Sequence, residues 1–164
     1  MSKSSQQLKR LILGGLLLAI TVVFGRIFII PIPWTHGNIN LCDAGIFIAA
    51  MLLGPAYGTV VGGLGGMLLD LISGFTQYSI FSLIAHGLEG LVAGLIYQHF
   101  GNRKLGQWLA LIIGTLVMVA GYFIADSVLY TYVAGLLGIG TNLLQGIVGA
   151  IVAMLVVPAI KKRI

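Results

Sequence analysis

The sequence predicts an all-α integral membrane protein of six transmembrane helices with both termini in the cytoplasm. Three observations carry the prediction: an apolar composition, three separate basic clusters, and chain breakers spaced at membrane-crossing intervals. Of 164 residues, 59% are hydrophobic and only 8% are charged, and the mean hydropathy is +1.07. That charged share is about a third of the soluble norm. A chain this short has no soluble core large enough to hide so many apolar side chains, so lipid is the remaining solvent.

The first segment covers about residues 8–30 and stops at Pro31-Ile32-Pro33. Basic residues precede it as in a signal peptide, but the run is long enough to span a bilayer and no small-x-small cleavage site follows. It is read as a retained helix. A polar stretch follows over residues 31–42 (PIPWTHGNINLC). The second segment covers about 43–53 and ends at Gly54-Pro55, and the third covers about 56–72. A single helix over 41–72 would reach about 48 Å, beyond a hydrocarbon core of about 30 Å, so a hairpin at Gly54-Pro55 is required. Residues 73–79 (SGFTQYS) read as a loop, and the fourth segment covers about 80–100. The Gly101-Asn102-Arg103-Lys104 break precedes a fifth segment over about 107–130. A glycine-rich join at 135–140 leads to the sixth, over about 141–160, and the whole chain forms one domain.

Basic residues test this count. They lie at Lys3, Lys9 and Arg10, at Arg103 and Lys104, and at Lys161, Lys162 and Arg163, with Arg26 alone outside the clusters. Six crossings from a cytoplasmic amino end place all three clusters in the cytoplasm, as the positive-inside rule requires. Five or seven would strand one cluster outside. The net charge of +5 is thereby explained without nucleic acid, and no nucleic-acid partner is expected.

Helices associate in lipid through small residues that admit close backbone approach. Gly54, Gly58, Gly62 and Gly66 recur at four-residue intervals, and Gly15 with Ala19, Gly90 with Gly94, and Gly146 with Ala150 repeat the spacing. Most such pairs serve packing within the chain. Gly15 and Ala19, on the first helix, suit the docking of another membrane subunit.

All four acids, Asp43, Asp70, Glu89 and Asp126, lie within or at the ends of apolar segments. An ionisable group inside a membrane is costly and normally has a partner or a function. The predicted topology puts Asp43, Asp70 and Asp126 in the outer half and Glu89 at mid-depth. Trp34, His36, Asn38 and Asn40 lie in the first outer loop; His86 shares a helix face with Glu89, Tyr122 stands four residues before Asp126, and Asn142 and Gln145 are three apart. Together they predict an outward-facing polar cavity. Several carboxylates against one arginine favour a neutral or cationic ligand with hydrogen-bond donors and a stackable ring. Asp70 is assigned to an ion pair with Arg26 or to a helix cap. On this reading Glu89→Gln weakens ligand binding more than about tenfold, or about 1.4 kcal/mol, and Asp70→Asn mainly reduces folding yield. The lone Cys42 permits no internal disulfide, offers no metal cluster and reads as a small packing residue. No metal and no cofactor are expected.

The run NINLCDAGIFIAAMLLGPAYGTVVGGLGGMLLDLISG, followed by HGLEGLVAGL, resembles the substrate-binding S components of energy-coupling factor (ECF) vitamin transporters. The resemblance covers nearly the whole chain and is strongest to the hydroxymethylpyrimidine or pyridoxine branch, which is related to riboflavin and pantothenate members. It implies a six-helix subunit that binds one vitamin at the outer face of the cell membrane and works with a membrane T component and two cytoplasmic ATPases of the ABC type. It further implies a T-component contact at the small-x-x-x-small motif, here Gly15-Leu-Leu-Leu-Ala19, where the family usually has alanine at both ends. The ligand residues implied are the loop from Trp34 to Asn40 with His86, Glu89, Asp126, Asn142 and Gln145. Energy must come from partners, because the chain carries no G-x-x-x-x-G-K-[ST] motif. Two other readings remain open: an autonomous proton-coupled carrier using Asp43, Asp70 and Glu89, and an intramembrane hydrolase using Glu89 and His86 around a metal. The second lacks HExxH and G-x-S-x-G motifs, and no enzymatic activity is expected.

Overall fold

The structure is a computed structural model that describes residues 3–34, 36–100 and 103–162. It is nearly all helical. The helices are α1 (Lys3–Ile27), α2 (Cys42–Leu53), α3 (Pro55–Ser73), α4 (Ser79–Phe100), α5 (Lys104–Leu129) and α6 (Tyr132–Lys161). Five are long and apolar enough to cross a membrane, and the sixth, α2, has 12 residues. Leucine, isoleucine, valine and phenylalanine side chains cover the outward faces of the long helices, where a soluble protein carries charge.

Short α2 forms the centre. Eleven of its residues are buried, and it packs against α1, α3, α4 and α6. Phe47, Ala50 and Met51 join Ala93 and Tyr97 of α4, Ala110 and Leu111 of α5, and Ala153 and Val157 of α6 in the main apolar core. Glycines set the helix separations, as close packing in lipid demands. A Cβ at Gly58 would strike the Gly90 carbonyl, and one at Gly62 the His86 carbonyl, so α3 and α4 meet backbone to backbone. Gly54 terminates α2 at φ 95°, and Pro55 opens α3 at a position that needs no N–H.

Several boundaries differ from those read in the sequence. Helix α1 ends at Ile27, not near residue 30: Ile30–Pro31 and Asn38–Ile39 pair as short antiparallel strands β1 and β2. The polar stretch is thus a hairpin, closed by Ile32 N–H donating to the Gly37 carbonyl at 2.9 Å. The 73–79 loop contains a 3₁₀ turn at Thr76–Tyr78, and α4 begins at Ser79. Residues 135–140 are helical, not a join: α6 starts at Tyr132, with Thr131 Oγ1 accepting from the Ala134 N–H at 3.1 Å. Glycine is tolerated there because Gly135 and Gly138 sit against Ser127 and Asp126 of α5, and a helix in lipid must keep its backbone bonds. Gly101 and Asn102 of the predicted basic loop, Thr35 of the first loop and Arg163 of the tail lie outside the described residues, and Lys104 to Gly106 belong to α5.

Apart from Arg26 in the last turn of α1, the basic side chains collect at one end of the bundle. Arg10 donates to the Leu53 carbonyl and stands over the Tyr57 ring at 5.6 Å. Lys161 bonds Tyr97 Oη near the end of α4, and Arg103 immediately precedes α5. The β-hairpin and the turns after α3 and α5 form the opposite end.

Candidate functional site

At the hairpin end a polar cavity opens between α3, the 3₁₀ turn, α5, α6 and the hairpin. Its walls are Asn38, Asn40, Asp70, Tyr78, Tyr122, Asp126, Thr141 and Asn142, with Gly37 and Gln145 completing the lining. Hydrogen bonds hold most of these groups in place. Gln145 Oε1 accepts from the Asn40 backbone N–H at 2.9 Å, and Asn40 Oδ1 accepts from the Cys42 N–H at 2.9 Å. This ties the entering hairpin strand to α6 and to the start of α2. On the facing wall Tyr78 Oη donates to Asp126 Oδ1 at 2.6 Å. Ser82, buried in α4, donates to Asp70 Oδ2 and shares a 2.6 Å bond with Tyr122 Oη.

A row of rings runs from the mouth to beneath the floor. His36 stacks on Tyr130 with centroids 4.5 Å apart and planes at 24°. Tyr130 lies 6.1 Å from Tyr78, Tyr78 lies 6.3 Å from Tyr122, and Tyr122 meets the edge of His86 at 5.3 Å. Carboxylates and amides thus share the cavity with aromatic faces, a combination suited to a small polar heterocycle.

Below Tyr122 lies a second cluster, closed to the cavity. His86 Nδ1 is 2.7 Å from Glu89 Oε2 and 3.8 Å from Asp43 Oδ1, and His86 Nε2 is 3.5 Å from Cys42 Sγ. All four residues are at most 1% exposed. Asp43 Oδ1 and Glu89 Oε1 have no hydrogen-bond partner.

The sequence-predicted residues therefore fall into three groups. Asn38, Asn40, Tyr122, Asp126, Asn142 and Gln145 line the cavity. Asp43, His86 and Glu89 lie outside its lining, because the His86–Glu89 face of α4 turns toward α2. His36 is at the mouth, and Trp34 is 60% exposed outside it. Asp70 corrects the expected ion pair: among the described residues it makes none with Arg26, and its carboxylate engages Ser82 and faces the cavity. Its carbonyl, not its side chain, accepts from Gly74 and Phe75 N–H to end α3. Tyr78 and Thr141 were not assigned from sequence. Tyr78 is visible there only as a polar loop residue, since its partner Asp126 lies 48 positions away.

An apolar helical bundle with a polar, aromatic-walled cup at one end defines a membrane-embedded small-molecule-binding subunit. Comparison with known proteins identifies which. Residues 5–162 match the family described as ECF-type riboflavin transporter, S component. The thiamine precursor transporter HmpT of Lactococcus lactis is 38% identical over 159 residues, covering 96% of this chain and 91% of that protein. An uncharacterized protein of Pyrococcus woesei is 33% identical over 138 residues, 82% of this chain and 90% of its own. A solved S component of a bacterial ECF transporter superposes with a TM-score of 0.68 at 26% identity, over 95% of this chain and 97% of that one. A biotin S component shares the fold, with a TM-score of 0.68 at 22% identity over 94% of each chain. The chain belongs to the S components of ECF transporters, a family of membrane transport subunits and not of enzymes.

Proposed function

We propose that this chain captures hydroxymethylpyrimidine, the pyrimidine precursor of thiamine, at the outer face of the cell membrane. A membrane T component and two cytoplasmic ABC ATPases then drive its uptake. One observation carries the reading: two carboxylates, four amides and two tyrosines converge on one cavity in a chain 38% identical to a thiamine precursor transporter. An aminopyrimidine presents an amine donor, ring-nitrogen acceptors and a hydroxyl. Asp70 and Asp126 take donors, Asn38, Asn142 and Gln145 serve the acceptors, and the tyrosines contact the ring. Pyridoxine shares the flat ring and hydroxymethyl groups but lacks the amine, and is the second choice.

The cavity volume is about 30 Å³, room for only a few water-sized groups. Admission of a ring therefore requires the walls to part, and we assign that movement to the hairpin, whose His36 stacks on Tyr130. Six crossings are supported by the length of the central element. Helix α2 reaches about 18 Å at its ordinary rise, and extended residues 38–40 add about 10 Å, together near the hydrocarbon thickness. Non-helical backbone at membrane depth is tolerated where it lines a cavity, as Asn38 and Asn40 do. The basic end then faces the cytoplasm, both termini included. On α1, Gly15 and Ala19 are exposed, and a Cβ at Gly15 would meet nothing within 4 Å, leaving a flat stripe for the T component.

The deciding experiment is mass spectrometry of small molecules retained by the detergent-purified chain, followed by calorimetry with hydroxymethylpyrimidine, pyridoxine, riboflavin and pantothenate. Tightest binding of hydroxymethylpyrimidine supports the assignment, and preference for riboflavin or pantothenate overturns it. Uptake by this chain alone in liposomes would establish the autonomous-carrier reading instead. Labelling of cysteines placed at 103–104 from outside intact cells would reverse the topology.

A further inference from the structure

We propose that Cys42, Asp43 and His86 form a site for one divalent transition-metal ion of the zinc type, with Glu89 orienting His86 from behind. Ligand atoms from the three residues lie within 4.8 Å of one another. An ion with Zn–S of about 2.3 Å and Zn–N of about 2.0–2.1 Å in tetrahedral geometry places sulfur and nitrogen about 3.6 Å apart. Here Cys42 Sγ and His86 Nε2 are 3.5 Å apart, and Cys42 Sγ and Asp43 Oδ2 are 3.9 Å apart.

His86 uses its two nitrogens as a metal-bound imidazole does. Nδ1 faces Glu89 Oε2 at 2.7 Å while Nε2 faces the thiol, the carboxylate–histidine–metal arrangement that fixes tautomer and ring orientation. Space is kept for this ring: a Cβ at Gly66 would stand 2.7 Å from His86 Cδ2, and one at Gly149 2.6 Å from Asp43 Cβ.

A second, independent observation points the same way. No hydrogen-bond donor reaches Asp43 Oδ1 or Glu89 Oε1, Asp43 Oδ1 has only His86 Nδ1 at 3.8 Å as its ion-pair contact, and both residues are 0% exposed. Two carboxylates and a thiol surround one imidazole in a water-poor interior, where such groups are paired or hold a metal. A divalent ion supplies the missing positive charge, and the Cys42 thiol proton leaves to solvent on binding. The mixed S, N and O donors select zinc or cobalt over magnesium and calcium, which take oxygen ligands. Three protein ligands leave a fourth position for solvent. Tyr122, which lines the cavity and meets the edge of His86, stands between the cavity and this site.

Cobalt(II) is the probe. The full chain, tag-free and purified in detergent without chelator, is titrated with Co²⁺ and monitored by absorption. The expected result is one equivalent bound, with tetrahedral d–d bands and a thiolate-to-cobalt charge-transfer band, all displaced by Zn²⁺. Cys42→Ser removes the charge-transfer band, and Glu89→Gln weakens Co²⁺ affinity about 10- to 100-fold. A wild-type protein that is helical and monodisperse yet gives no charge-transfer band overturns the proposal, whether or not the variants fold. So does a band that persists in Cys42→Ser. Vitamin binding is measured separately by calorimetry, and its outcome leaves this one unaffected.

Discussion

His86 and Glu89 stand one helical turn apart on α4 with Nδ1 and Oε2 2.7 Å from each other, and neither lines the cavity. Spacing alone identifies them as the strongest ligand pair, but their shared face turns toward Asp43 of α2. The carboxylates that line the cavity are Asp126, fixed by Tyr78 at 2.6 Å, and Asp70, fixed by Ser82. Asp126→Asn should weaken vitamin binding at least about tenfold, equivalent to about 1.4 kcal/mol. Asp70→Asn should also weaken it, and Glu89→Gln should weaken it less than either. Calorimetry on the three variants gives the order, and a Glu89→Gln loss exceeding that of Asp126→Asn would put Glu89 back against the ligand.

Gln145 has a structural duty besides lining the cavity. Its Oε1 is the acceptor for the Asn40 backbone N–H at 2.9 Å, and the two residues are 2% and 8% exposed. Gln145→Leu orphans that donor at a cost of about 1–3 kcal/mol, whereas Gln145→Glu keeps an acceptor oxygen. The apparent melting temperature in detergent should fall for leucine and recover for glutamate. Equal melting of the two variants would mean that the hairpin is not anchored through this bond.

His36 is the only non-glycine residue with positive φ among the described residues, at 58°, and it stacks on Tyr130. Histidine enters this region more readily than most side chains, and glycine enters it freely. His36→Gly should therefore preserve the turn while deleting the ring that bridges the hairpin to the α5 end. Vitamin dissociation, followed by stopped-flow fluorescence, should quicken several-fold with little change in association. An unchanged dissociation rate would remove the stack from the barrier to release.

Helix identity was legible in the sequence because lipid imposes simple demands: long apolar runs interrupted by Gly54-Pro55 or by the Ser73-Gly74 turn. The same logic fails at residues 135–140, where glycine reads as a breaker but the chain is helical. In a soluble helix it weakens the backbone, but here Gly135 and Gly138 admit Ser127 and Asp126 of α5. The cavity's polar ring was legible for a similar reason, since each amide or carboxylate in an apolar run stands out. Depth and facing were not. Whether Glu89 meets ligand or Asp43 depends on the rotation of α4 against α2 and α3, set by contacts such as Gly62 on the His86 carbonyl, which no local pattern encodes. Likewise Asp70 sits where a helix cap would, yet backbone geometry at Gly74, φ 85°, ends the helix and frees the carboxylate for Ser82.

Two glycines of similar appearance in the sequence should respond oppositely to the same substitution. At Gly58 a Cβ would stand 2.5 Å from the Gly90 carbonyl oxygen and 2.9 Å from its carbon. That neighbour is backbone and cannot rotate aside, so Gly58→Leu must force α3 and α4 apart and should abolish monodisperse protein on size-exclusion chromatography. At Gly15 a Cβ would meet nothing within 4 Å, and the residue is on the exposed face of α1. Gly15→Leu should fold, elute and bind vitamin as the wild type does. The added side chain would fill the stripe that allows a partner helix to approach closely, so co-purification with the T component and ATPases, and vitamin uptake by cells, should be lost. Normal assembly of Gly15→Leu would move the T-component contact off this face of α1, while a folded Gly58→Leu would show that α3 and α4 tolerate separation.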